Sequence, residues 1–214
     1  MLGAVPPAFR SERMVRSRGA SSHALHDNYG DDPVPGIFVA TVGSSDVVTV
    51  ATSATPVPNG HDGELFVSFS DPVFDGDTVG FLGLGAEGSF GLYKSSISSN
   101  TALSVVVDTK TPVPGGDGFF GDIPQTPSLV DGTFLFHVGA GAGSTGIYSA
   151  TSNKDIVPHV TFMDSIGGKD IVYMGIQTGS FNGDVFSFYA VTDIDVIAQD
   201  SVSAARRHAN ATVA

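Results

Sequence analysis

Two stretches of this chain have the Gly-x-Gly-x-x-Gly spacing that holds a dinucleotide pyrophosphate when a helix follows the loop. In both cases the following residues, Phe90–Lys94 and Ile147–Ala150, predict another strand and not a helix. Because the pyrophosphate needs the N-terminus of a helix, we predict a hairpin turn at each stretch and no cofactor. The glycines are Gly83, Gly85 and Gly88 in the first copy and Gly141, Gly143 and Gly146 in the second.

Ser144 lies between glycines and loosely matches the nucleophile elbow of a hydrolase. An elbow needs a strand-to-helix turn and partner His and acidic residues. Ser89 occupies the same place 55 residues earlier, and a unique nucleophile would need no such duplicate. A carboxylate pair for glycoside hydrolysis is set by its separation in space and cannot be recognised from sequence spacing. The chain has no Trp and only five Tyr, which argues against a cleft in which aromatic rings stack on sugars. We therefore predict no catalytic residue and no enzyme.

Candidate metal ligands are scattered along the chain. The six histidines show no His-Glu-x-x-His or similar spacing, although His23 and His26 leave a surface metal clip as an alternative. Asp-Gly turns supply the oxygen ligands that calcium prefers, but the Asp-x-Asp-x-Asp-Gly loop is absent. We favour hairpin turns at these acids and keep weak calcium binding as an alternative. The residues are His23, His26, His61, His137, His159, His208, Asp71, Asp75, Asp77, Asp117 and Asp122.

A period of 55 residues organises the chain. Gly-x-aromatic tripeptides begin at Gly36, Gly91 and Gly146, each 55 residues after the last, and Thr-Pro-Val-Pro-Asn-Gly at 55–60 returns as Thr-Pro-Val-Pro-Gly-Gly at 111–116. Self-similarity at a fixed spacing indicates a tandem repeat of one supersecondary unit. We predict repeats at about 36–90, 91–145 and 146–198. Their signature residues are Gly36, Gly91, Tyr93, Pro112, Pro114, Gly115, Gly116, Gly146 and Tyr148.

Runs of β-branched and aromatic residues between Gly, Asp and Pro predict about four strands in each repeat. The predicted fold class is all-β, with about three propeller-like or sandwich-like modules of antiparallel strands and extended N- and C-terminal arms. Closed propellers have four to eight blades, so about three modules either pack as an open unit or leave edges that other chains complete. Predicted strands include 37–42, 46–51, 64–69, 78–82, 103–108, 133–138, 155–160, 170–174 and 184–191.

Charge is segregated between the ends and the body of the chain. Between residues 19 and 205 four lysines face 21 acidic residues, so the body at 36–198 is not expected to bind nucleic acid. We interpret 1–35 as a basic docking arm and 199–214 as a tail, with a disordered segment or a transit-peptide remnant as alternatives for the start. Opposite charges favour salt-sensitive docking of arms on neighbouring bodies. The basic arm residues are Arg10, Arg13, Arg16, Arg18, Arg206 and Arg207.

The compartment is left open by the sequence. The chain contains no cysteine, which excludes disulfides and fits a reducing environment. No stretch approaches the roughly 18 apolar residues of a membrane span. The Arg/Ser-rich start allows a plastid or another organelle, and the extracellular space is the alternative.

The stretch 103–148 contains Asp108-Thr109, Thr111 to Phe119, Pro127-Ser128-Leu129, Asp131-Gly132 and Gly146-Ile147-Tyr148. With these residues it resembles a repeat of bacterial secreted β-propeller-like proteins of unknown function. The likeness covers about 50 residues and is weaker over the other copies. What this resemblance implies is a fold, because no activity is associated with the motif.

These observations favour a non-enzymatic structural protein that self-assembles into a coat, shell or lattice through its arms and sheet edges. Its predicted partner is a second copy of itself. An algal plastid shell, such as one around a pyrenoid, would be similar in kind. The alternative is a propeller-like module that binds a protein or a glycan on its loop face.

Overall fold

A computed structural model describes residues 13–17, 34–98, 102–116, 118–139 and 145–193 of the chain. These residues form antiparallel strands and turns and contain no helix, which confirms the predicted all-β class. Sheet 1 contains β1 (Arg13–Ser17), β2 (Gly36–Thr41) and β3 (Val47–Thr52), in that order.

The next two sheets are meanders of four main strands. Sheet 2 contains β4 (Phe66–Phe69), β5 (Val73–Asp75), β6 (Thr78–Gly85), β7 (Phe90–Ser96) and β8 (Ser104–Asp108), in the order β4-β6-β7-β8 with β5 also on β6. Sheet 3 contains β9 (Ser128–Val130), β10 (Thr133–Val138), β11 (Gly146–Ala150) and β12 (Val157–Thr161), paired in sequence order.

Sheet 4 is shorter than the sheets before it. It contains β13 (Ser165–Ile166), β14 (Lys169–Gly175) and β15 (Tyr189–Thr192). The strand predicted at 184–191 is mostly replaced by a turn, because Phe186 makes a lone bridge to Phe181 and regular pairing begins only at Tyr189.

The four sheets stack face to face in chain order. One apolar cluster joins Ile37 and Val39 of sheet 1 to Val79 and Phe81 of sheet 2. A second joins sheets 2 and 3, and a third joins sheet 3 to Ile171 of sheet 4 and its neighbours. Sheets 2 and 3 are thus buried on both faces, which explains why their central strands are continuous apolar runs and not alternating ones.

Local turn chemistry sets the strand boundaries. The β9–β10 hairpin turns at Asp131 and Gly132, whose φ angles of 49° and 75° suit the two-residue turns that match strand twist. Gly88, with φ 92°, makes the turn between β6 and β7. The first Gly-x-Gly-x-x-Gly stretch is therefore a hairpin, as predicted, while Gly141 and Gly143 lie outside the described residues.

Phe136→Ala tests the account of the core between sheets 2 and 3. The Phe136 side chain is fully buried in the second cluster, so we expect a loss of about 3–5 kcal/mol in the free energy of unfolding, measured by urea denaturation. Val157→Ala, at an exposed position of β12, is the matched control and should change stability little. Equal effects of the two substitutions would contradict the assigned core.

Candidate functional site

The three signature glycines lie at the first or second position of equivalent strands for a steric reason. A Cβ on Gly36, Gly91 or Gly146 would lie only 2.7, 2.8 or 2.7 Å from a carbonyl oxygen of the adjacent strand. A larger residue would therefore push the two strands apart. In each case a β-bulge follows at once, between Ile37 and Phe38, Leu92 and Tyr93, or Ile147 and Tyr148. The signature residues therefore fix the strand pairing and do not form a ligand loop.

The aromatic residues of the signature are core residues. Tyr93 packs edge-on against Phe66 with ring centroids 5.1 Å apart, and Tyr148 packs edge-on against Phe120 at 5.0 Å. Burial raises the pKa of both tyrosines, and for Tyr93 the nearby Asp108 adds to the effect. The Tyr93 hydroxyl is buried and has no hydrogen-bond partner among the described residues.

The Thr-Pro-Val-Pro-Gly-Gly stretch is a closed structural turn. The Thr111 hydroxyl donates to Asp108 Oδ1 at 2.6 Å and accepts from the Asp108 N–H at 3.0 Å. The Val113 N–H donates to the Gly118 carbonyl at 2.9 Å. Pro112 is exposed and bridges to Phe119, Pro114 is half-buried, and Gly115 supplies a positive φ of 72°. Gly116 completes the turn through its N–H, which donates to Val113 O at 3.2 Å.

The two copies of this turn touch each other. The Lys110 ammonium donates to the Asn59 carbonyl at 2.6 Å, and the Asn59 side-chain amide donates to Asp108 Oδ2 at 3.3 Å. These two hydrogen bonds join the loop between sheets 1 and 2 to the end of β8 and the loop between sheets 2 and 3.

Glu64 is a buried carboxylate that the sequence analysis did not single out. Its oxygens accept backbone N–H groups from His61 at 2.8 Å, Glu87 at 2.8 Å and Ser89 at 3.1 Å. Burial alone raises the pKa of Glu64, but these N–H donors favour the charged form and lower the pKa from 4.5 to about 2. A Cβ on Gly85 would lie 2.1 Å from Glu64 Oε1, so the carboxylate depends on a glycine there.

The candidates for metal and acid–base chemistry are not brought together. No group of three or more potential metal ligands occurs among the described residues. Asp77 accepts from the Ser98 N–H at 2.7 Å, and Asp75 accepts from the Asp131 N–H, so both acids serve turns. Asp71 lies in an exposed turn before β5. Asp117 lies outside the described residues. The Asp122 carbonyl accepts from the Gly139 N–H at 2.8 Å.

Of the three described histidines, His137 is buried, and His61 and His159 are exposed. His137 lies in β10 and His159 in β12, within the strands predicted there; burial lowers the pKa of His137, and partial burial lowers the pKa of His159. His159 Nε2 lies 2.8 Å from the Ser149 hydroxyl. The His61 side chain lies at the surface, with Nδ1 3.8 Å from Glu87 Oε2. His23, His26, His208 and Ser144 lie outside the described residues.

Apolar side chains are concentrated at the free edge of sheet 4. We call Tyr173, Val185, Phe188, Tyr189 and Val191 the β15 patch; all five are exposed. Tyr173 and Tyr189 stack edge-on with ring centroids 6.0 Å apart. Beside them opens a groove of about 630 Å³ that also involves Gln125 and Gln177. Among the described residues no strand pairs with the outer edge of β15.

The basic arm residues are only partly described. Arg13 and Arg16 lie on β1, opposite Thr41 and Phe38 of β2. Arg10, Arg18, Arg206 and Arg207 lie outside the described residues. The segment interpreted as an arm thus contains a strand that pairs with the body of its own chain.

No protein-family model matches the chain, and neither the curated proteins nor the solved structures include a significant match. The resemblance to propeller-like repeats therefore stays a prediction. No helix that is long and apolar enough for a membrane crossing occurs in the described segments.

Glu64→Gln tests the role of the buried carboxylate. The folded pKa of about 2 lies below the ordinary 4.5, so its ionisation stabilises the fold fully above about pH 4.5, and this contribution is lost as pH falls toward 2. Urea unfolding should therefore give the variant a lower free energy of unfolding than the wild type at pH 7, and this difference should shrink at pH 3. Glu87→Gln, at an exposed site, should have little effect. A deficit of the same size at both pH values would contradict this role.

Tyr93→Phe should stabilise the protein by about 1 kcal/mol, because it removes a buried hydroxyl that has no partner among the described residues. Thermal and urea unfolding measure the change. Tyr189→Phe, at an exposed tyrosine, is the control and should be neutral. A loss of stability in Tyr93→Phe would mean that the hydroxyl makes a needed hydrogen bond.

Proposed function

We propose that this chain is a non-enzymatic structural protein that self-assembles through its sheet edges and terminal arms into a coat, shell or lattice. The observation that carries the proposal is the β15 patch, an exposed apolar surface at the edge of a sheet. Exposed apolar side chains clustered along one edge of a folded protein favour an interaction site, and an unpaired strand is a template for another strand. The patch combines both properties in one place.

The charge pattern supports a second kind of contact. Four lysines face 21 acidic residues between positions 19 and 205, while six arginines lie near the two ends. Basic ends attract the acidic bodies of neighbouring copies, and salt weakens this attraction. Edge pairing would then build the basic unit of the assembly, and the arms would link such units.

The first test is the mass of the particle as a function of concentration. We expect light scattering after gel filtration to give a mass above that of one chain, falling on dilution, and negative-stain microscopy to show larger particles at low salt. Tyr189→Lys with Val191→Lys places two charges on the edge, so the dissociation constant should rise about tenfold or more. Val157→Lys with Met163→Lys, at exposed apolar positions on β12 and in the turn after it, should leave the mass unchanged.

A variant with serine at Arg10, Arg18, Arg206 and Arg207 tests the arm contact separately, because it leaves β1 intact. The larger, salt-sensitive particles should disappear while the smaller unit remains. A wild-type chain that stays monomeric at all concentrations and salt levels would overturn the proposed function.

The groove beside the patch favours one second candidate, a binding module for a protein or glycan. Its rim carries Tyr173, Phe188 and Tyr189, and exposed aromatic rings offer apolar faces to a ligand. A module of this kind would remain monomeric and bind on a glycan array or in a peptide display screen. Concentration-dependent assembly without such binding would exclude it.

A further inference from the structure

Sheets 2 and 3 each contain the same triad of buried aromatic residues. In sheet 2 the triad consists of Phe66, Phe81 and Tyr93, which come from β4, β6 and β7. The ring centroids of Phe81 and Tyr93 are 6.1 Å apart, and Phe81 lies directly opposite Tyr93 in the ladder. At sheet 3 the corresponding residues are Phe120, which lies in the loop before β9, and Phe136 and Tyr148, which lie opposite each other on β10 and β11 at 6.0 Å.

Sheet 4 contains the first two positions of such a triad. The β14–β15 ladder repeats the pattern of the β4–β6 ladder. Ile171 pairs with Thr192 in the first ladder, and Phe66 pairs with Gly85 in the second. A bulge follows each of these two pairs. This register places Phe188 at the position of Phe81. Phe188 is 37% exposed, whereas Phe81 is fully buried. Among the described residues none occupies the third position, which β7 supplies in sheet 2.

Sheet 1 contains a residue at the third position of the triad, which Tyr93 occupies in sheet 2. β2 begins with Gly36-Ile37-Phe38, and its ladder with β3 has the bulge that the β7–β8 ladder has after Leu92. Phe38 is therefore the counterpart of Tyr93, yet it is only half-buried. The residue opposite Phe38 is Arg16 of β1, at the position where sheets 2 and 3 have a phenylalanine.

The geometry points to a specific contact between two copies: β15 of one copy pairs with β2 of a second copy, in the register of β6 and β7. Phe188 then lies opposite Phe38, and Tyr189 lies opposite Ile37. β1 of the second copy leaves β2, because both strands need the same edge. The result is a composite sheet, β14-β15 from one chain and β2-β3 from the other. This inference rests on the proposed self-assembly and specifies its interface.

The composite sheet also covers the remainder of the β15 patch. Side chains alternate along a strand, and Ala190 packs into the cluster shared with sheet 3, so Tyr189 and Val191 face away from sheet 3. Ile37 of β2 faces sheet 2 of its own copy. Tyr173, Tyr189 and Val191 would therefore be buried against sheet 2 of the second copy. The aliphatic face of sheet 2 is buried against sheet 3 in the same way within one chain.

Two features favour a second copy over the chain's own β2. Sheets 1 and 4 lie at opposite ends of the stack, and sheets pack about 10 Å apart, which separates them by about 30 Å. Closure within one chain would also give three complete sheets, fewer than the four to eight of closed propellers. Two copies joined by two such contacts give six sheets, within that range.

Cysteine cross-linking tests the register, since the chain has no cysteine of its own. The register places Val185 opposite Thr41, as Thr78 lies opposite Ser96, and both residues are exposed. A mixture of full-length Val185→Cys and Thr41→Cys chains should form, under mild oxidation, a disulfide-linked heterodimer that contains both cysteine peptides. A mixture of Val157→Cys and Thr41→Cys chains is the control and should give no such product.

A second variant tests the displacement of β1. Arg13 lies opposite Thr41 within the chain, so Arg13→Cys with Thr41→Cys can lock β1 on β2 by an internal disulfide. At high salt, which weakens the arm contacts, the oxidised variant should be monomeric by light scattering, and a reducing agent should restore assembly. Assembly that is unaffected by the lock would overturn the exchange of β1 for β15.

The outcomes separate this inference from the proposed function. If the wild-type chain assembles but the Val185–Thr41 cross-link does not form, self-assembly stands and the β15–β2 interface is wrong. If the wild-type chain stays monomeric and no cross-link forms, both are wrong. Cross-link formation together with a monomeric locked variant supports both.

Discussion

The structure depends on one constraint: a meander whose central strands are apolar on both faces needs a sheet on each side. β10 shows this most clearly, because Phe134 and Phe136 face the cluster shared with sheet 2 while Leu135 faces the cluster shared with sheet 4. Burial of such apolar surface is the main favourable term in folding. Sheets 2 and 3 satisfy the constraint within the chain. Sheets 1 and 4, at the ends of the stack, have one neighbouring sheet each among the described residues.

The glycines and bulges that align the strands also show which aromatic position each end sheet lacks. A glycine pressed against a neighbouring carbonyl and a bulge after it fix the register in which Tyr93 meets Phe81. The same glycine and bulge occur in β2, but its neighbour β1 places Arg16 opposite Phe38. The interaction edge that we propose for each end sheet would therefore come from the repeat itself, without a specialised site.

The sequence predicted the strands well where local signals and packing agree. The strand at 133–138 matches β10, since its apolar run ends in an Asp-Gly turn on one side and glycine on the other. β1 was missed because its five residues have no periodicity and are a strand only by pairing with β2. Glu64 was missed because its role comes from N–H groups up to 25 residues away. The 55-residue spacing locates equivalent strands, but a repeat counted from Gly36 starts within sheet 1 and ends within sheet 2.

Hydrogen–deuterium exchange at low and high protein concentration tests the central claim most directly, because amide protection reports strand pairing. If the end sheets complete each other, then at high concentration Tyr189–Thr192 gains protection, Arg13–Ser17 loses it, and β7 within sheet 2 is unchanged. Assembly detected by light scattering with no change in protection at β15 would contradict the claim that the end sheets complete each other.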